Sequence, residues 1–154
     1  MITRNPSISP AHSSIRPFGD RLGACERRPV MELLAALHRF HPNILLIDCG
    51  EDTEQAFAEI RPTLLIPSAV WWPRETPHFP AIEFRSLIVH EIECLTVTQQ
   101  LSLASLVSRD TLQIVSIARL PLFPLVCQGL FLEDLYYRLN VVLLESGHDN
   151  SYGW

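Results

Sequence analysis

The chain contains no lysine; all twelve of its basic residues are arginine. This excludes chemistry that depends on an ε-amine, from Schiff-base catalysis to the phosphate-binding lysine of a P-loop. Glycine is nearly as scarce. Six occur in 154 residues, with none between Gly50 and Gly129, so no Gly-rich phosphate cradle falls in that stretch. Apolar runs such as Ile44-Leu45-Leu46-Ile47 fall far short of the roughly 18–20 residues of a membrane span. The first thirty residues are interrupted by Pro6, Pro10, Pro17 and Pro29 and lack the apolar core of a signal peptide. The four cysteines (Cys25, Cys49, Cys94, Cys127) form no C-x-x-C pair. Cys49 and Cys94, beside apolar runs, read as small core residues in a reducing setting. A net charge of −5 provides no basic face for duplex DNA. The expectation is a cytoplasmic protein with no membrane contact and no direct DNA binding.

Hydrophobic residues make up 47% of the chain and charged residues 19%, which suits one globular domain. Residues 1–29 carry Ser, Pro and Arg without apolar period and read as a flexible tail. Val30, Leu33, Leu34 and Leu37 then recur at helical spacing, and that helix stops before His41-Pro42. Asn43 to Asp48 reads as a buried strand, Glu51 to Ile60 as a helix, and Thr63 to Ile66 as a second strand. Pro67 to Pro80, with four prolines and Trp71-Trp72, reads as a loop. A strand over Ser86–Val89, a helix over Val97–Val107, a strand over Leu112–Ile117 and a helix over Phe131–Leu139 follow. Continuously apolar strands alternating with helices predict an α/β fold, a parallel sheet covered on both faces.

The most specific segment runs from Gly129 to Val142. Gly129-Leu-Phe-Leu-Glu-Asp-Leu-Tyr-Tyr-Arg-Leu-Asn-Val-Val142 resembles the G-x-F-R-E-D-L-Y-Y-R-L-N-V-V segment of sigma-54-dependent transcription activators, which are hexameric AAA+ ATPases. Upstream, Gln113-Ile-Val-Ser-Ile-Ala-Arg119 is similar to the family's sensor I strand and Leu87-Ile-Val-His-Glu-Ile92 to its Walker B strand. Asn43 to Cys49 is similar to its P-F-V-A-V-N-C strand. The resemblance implies a three-layer P-loop NTPase-like (AAA+) fold, shortened and without the lid subdomain. It covers roughly residues 30–145, with 146–154 as a short tail.

The departures from the family pattern point toward loss of catalysis. Counting back from His38 places the phosphate loop near Ala24 to Met31, where the chain has no glycine and no lysine. The magnesium-organising aspartate is replaced by His90, a poor ligand for a hard cation, while the adjacent acid survives as Glu91. The sensor Asn is Ala118, the first arginine finger is Leu132, and the sigma-54-contacting G-A-F-T-G-A loop is missing. Glu91 and Arg138 are thus the candidate vestigial catalytic residues. Beside those roles stand plainer ones: a solvated strand-end carboxylate for Glu91, and for Arg138 an i, i+4 pair with Asp134. His90/Cys94 and His38/His41 have spacings a zinc site can use, but no second His completes H-E-x-x-H, and they read as incidental. The resemblance implies a pseudo-ATPase with no cofactor and with intact sigma-54 activator subunits as partners. The alternatives are a nucleotide-binding regulator using ATP and Mg²⁺, and a product without a selected role.

Overall fold

The computed structural model describes residues 27–47, 52–109 and 111–145. In chain order the elements are α1 (Arg27–Phe40), β1 (Ile44–Ile47), α2 (Asp52–Ile60), β2 (Ser68–Trp71), β3 (Ser86–Val89), α3 (Val97–Val107), β4 (Gln113–Ala118), α4 (Phe123–Cys127), α5 (Glu133–Leu139) and β5 (Val142–Glu145). Short 3₁₀ turns lie at Arg61–Thr63 and Ile92–Cys94. All four strand pairings are parallel, in the order β2-β3-β4-β1-β5.

Because side chains alternate across a strand, each central strand serves two cores. Ile44 and Leu46 of β1, Ile88 of β3 and Val115 and Ile117 of β4 face α1 and α2, meeting Leu37, Phe57 and Ile60. Leu45, Ile47, Leu87, Val89, Ile114 and Ala118 face the other way, toward Leu103 of α3, Leu122, and Leu135 and Leu139 of α5. This gives three layers and explains the continuously apolar strands. α3 opens on a capping box: Thr96 Oγ1 accepts from Gln99 N (3.2 Å) and Gln99 Oε1 accepts from Thr96 N (2.9 Å).

Three side-chain amides tie loops to the sheet or to α3. Buried Gln113 donates to Pro42 O (3.1 Å) and accepts from Leu65 N and Ser86 Oγ (3.2 Å each). Asn43 accepts from Ile114 N (2.8 Å) and donates to Arg138 O (2.9 Å). Gln100 donates to Leu95 O and Leu130 O and accepts from Leu132 N, tying α3 to the approach to α5. Each such group would be costly to bury unpartnered.

Several elements differ from the sequence-based expectations. Thr63–Ile66 is not a strand; its start closes a 3₁₀ turn, with Thr63 Oγ1 donating to Ile60 O (2.7 Å). The second strand lies instead within the proline-rich stretch, as Ser68–Trp71 between Pro67 and Pro73. It is an edge strand bonded only to β3, where flanking prolines are tolerated. Trp71 is fully buried, donating Nε1–H to Thr76 O (2.8 Å) and meeting Phe79 edge-on at 4.6 Å. α1 starts at Arg27, with Pro29 in its first turn. α4 and β5 have no counterpart in the expected elements. The 1–29 tail, apart from 27–29, lies outside the described residues, as do Cys25, Cys49 and 146–154. Cys94 is exposed rather than a core residue.

Two outcomes follow for stability. Leu135→Ala, a truncation at a fully buried position, is expected to cost about 2–5 kcal/mol, whereas Arg138→Ala costs well under about 1 kcal/mol; urea denaturation of both variants checks the order. Gln113→Leu leaves Leu65 N, Ser86 Oγ and Pro42 O without their partner. It should lower the same stability by about 1–3 kcal/mol.

Candidate functional site

In an open parallel sheet, ligands bind beyond the carboxyl ends of the strands, where neighbouring strands send their connections to opposite faces. Here β1 leads into α2 on one face, and β4 leads into α4 and α5 on the other. The switch point therefore falls between β1 and β4. The carboxyl edge around it holds Trp72 and Arg74 after β2, His90 and Glu91 after β3, and Arg119 after β4.

Glu91 is the centre of this cluster. It is a non-glycine residue at φ 49°, a left-handed backbone that costs on the order of 1–3 kcal/mol. That conformation turns the chain from β3 into the Ile92–Cys94 turn, closed by Cys94 N donating to Glu91 O at 2.9 Å. Its carboxylate Oε1 accepts from Arg119, and Oε2 lies 4.0 Å from Arg74. The Glu91 side chain is only 14% exposed, while the two arginines are over 60% exposed and reach in from solvent. Both carboxylate oxygens thus face guanidinium groups.

Beside it, the His90 imidazole stacks on Trp72, ring centres 3.8 Å apart and planes 7° from parallel. Burial holds the His90 pKa below the usual histidine value, against the opposing pull of Glu91. Cys94, though exposed, is partly desolvated, which pushes its thiol up, with Glu93 adding to the shift. Among the described residues no three His, Cys, Asp or Glu side chains are grouped to hold a metal ion.

The other candidate lies elsewhere. Arg138 sits at the amino end of the sheet, its carbonyl accepting from Asn43 just before β1. Its guanidinium donates to Asp134 Oδ2 and to Ser108 Oγ, each at 2.8 Å. The i, i+4 pair with Asp134 expected from sequence is present; the Ser108 contact was not foreseen. Glu91 and Arg138 are therefore separated by the length of the strands. Sequence reading also missed Arg74, Arg119 and Trp72. The strand register brings Arg119 in: Val89 pairs with Ser116, so two residues beyond Val89 lies Glu91, level with Ala118 and beside Arg119.

The topology also corrects the placement of the phosphate loop. Such a loop joins a strand to the following helix, but Arg27 to Met31 are already helical and precede β1. The matching connection is 48–51, between β1 and α2 at the switch point. Asn43–Cys49 thus contains β1, the strand that leads into this connection. Residues 48–51 lie outside the described residues; they read Asp-Cys-Gly-Glu, and Asp52-Thr53-Glu54 follow.

No protein-family model matches the sequence, and no curated protein does either. Solved structures do match by shape. NtrX from Brucella abortus in complex with ATP superposes with a TM-score of 0.63 at 15% identity, covering 77% of this chain and 34% of that one. Its ADP complex gives 0.65 at 14%, covering 80% and 36%. The P-loop NTPase domain of the sigma-54 transport activator from E. coli gives 0.51 at 17%, covering 70% of this chain and 98% of that domain. The fold is that of a P-loop NTPase domain. The chain spans about a third of the NtrX chains it matches. No helix among the described residues is long and apolar enough to cross a membrane.

For this P-loop NTPase fold the His90 stack gives a direct test. Trp72→Ala should raise the His90 pKa toward about 6.5 as water reaches the ring, read by NMR titration of the imidazole. The sign for stability follows: with the folded-state pKa lowered, the unfolded chain takes up the proton first. Stability is then lost as pH falls below about 6.5, and His90→Gln should flatten that loss.

Proposed function

We propose that this chain is a sigma-54 activator-type AAA+ domain that neither binds nor hydrolyses ATP. It acts in the cytoplasm, in transcription regulation, by docking on intact activator subunits. The observation that carries the first part is the ion pair of Glu91 with Arg119, with the Arg74 guanidinium 4.0 Å from the other carboxylate oxygen. An acid so held has its charge already neutralised, and serving as a base or magnesium anchor would require breaking the ion pairs. The neighbouring His90 suits Mg²⁺ poorly and is held by Trp72.

The connection at the switch point supports the same reading. A phosphate loop neutralises a polyanion with a lysine and convergent N–H groups. Here Asp48, Glu51, Asp52 and Glu54 bring four carboxylates within seven positions and no basic residue. Like charges there repel a triphosphate. The second reading is nucleotide binding, the state in which NtrX was crystallised; the acidic connection weighs against it. For docking, Arg138 is 42% exposed at its side chain, and its use as a finger toward a partner would mean leaving Asp134 and Ser108.

Titration of the purified protein with ATP and Mg²⁺ by calorimetry is expected to give no saturable heat up to about 1 mM, a high value for a substrate. Phosphate release should equal that of a boiled control. Saturable binding, or hydrolysis abolished by Glu91→Gln, would overturn the proposal. Failure of an intact sigma-54 activator to retain the chain on an affinity column would remove the docking part alone.

A further inference from the structure

At the amino end of β3 and β4, opposite the Glu91 cluster, a groove of ≈ 520 Å³ opens between the segment entering β3 and the end of α3. Its apolar lining includes Phe84, Leu106 and Leu112, partly buried side chains that pack on the core and so are fixed in place. Arg85 and Arg109 also line it. Neither guanidinium has an ion-pair or hydrogen-bond partner among the described residues. Of the other described arginines, Arg119 and Arg74 meet Glu91 and Arg138 meets Asp134, while Arg39 and Arg61 meet no anion. Glu83 is the one carboxylate among the described lining residues.

The volume lies within the range of small-molecule sites, roughly 300–1,000 Å³. A guanidinium matches a carboxylate in shape and charge, and the match strengthens against an apolar wall that excludes water. Two arginines against one glutamate favour a single negative charge, since a dianion would meet Glu83 without a further cation to offset it. We propose that this groove binds a small amphipathic monocarboxylate, its head on Arg85 and Arg109 and its apolar body along Phe84, Leu106 and Leu112. The groove is remote from the switch point, so this holds or fails independently of nucleotide binding.

Octanoate and 1-octanol are the probes, which share a chain and differ in charge. Calorimetry should show saturable octanoate binding with octanol about tenfold weaker or more. Arg85→Gln/Arg109→Gln should weaken octanoate by about tenfold or more and leave octanol unchanged. Both positions are exposed, and an unchanged thermal midpoint would show that the variant folds. Amide NMR shifts on octanoate addition should centre on Phe84, Leu106 and Leu112. The proposal is overturned by an absence of saturable octanoate binding, by equal affinity for octanol, by an unaffected double variant, or by shifts centred on Glu91.

Discussion

The structure depends on the insertion of β1 between β4 and β5. Ile44 pairs in parallel with both Val115 and Val142, so one short strand from early in the chain closes the sheet against two much later ones. Neither core is complete without it, since Leu45 and Ile47 face one helical layer and Ile44 and Leu46 the other. The non-local pairing also brings the amino ends of β1, β3 and β4 together, where Gln113 and Asn43 tie the loops. Formation of this strand arrangement therefore sets both the core and the amide staples.

The same arrangement creates the carboxyl edge. Parallel strands put every exit at one end, so acids and bases far apart in sequence arrive together. Glu91 and Arg119 end adjacent strands and meet for that reason, while Arg74 follows the edge strand β2. The charge that would otherwise face a ligand is met within the chain.

Much of this was legible in the sequence. Ile44–Ile47, Ser86–Val89 and Gln113–Ala118 declare themselves by mostly apolar composition, and α3 by Thr96 with Gln99 three residues later. β2 was hidden because only alternate residues, Ala69 and Trp71, are buried, and prolines bracket it. β5 was hidden because its burial is incomplete, leaving no run distinct from the preceding helix. The second strand was expected a few residues early, at Thr63–Ile66, and the phosphate loop, counted back from His38, fell on the other side of α1. Of the site, Glu91 and Arg138 could be named from the resemblance. Their separation, and the arginines around Glu91, depend on sheet order, which one sequence does not encode locally.

The two ends of the sheet are held by different physics. At the amino end the staples made by Gln113 and Asn43 are neutral amide hydrogen bonds, which ions in solution barely touch. The carboxyl end rests on an ion cluster whose arginines stand largely in solvent, where at physiological ionic strength a screening length of about 8 Å already dulls the attraction. Added salt therefore acts on the Glu91 cluster and spares those amide staples. The ties at the two ends thus differ in their response, with a salt-sensitive ion cluster around Glu91 and salt-indifferent amide staples at Gln113 and Asn43.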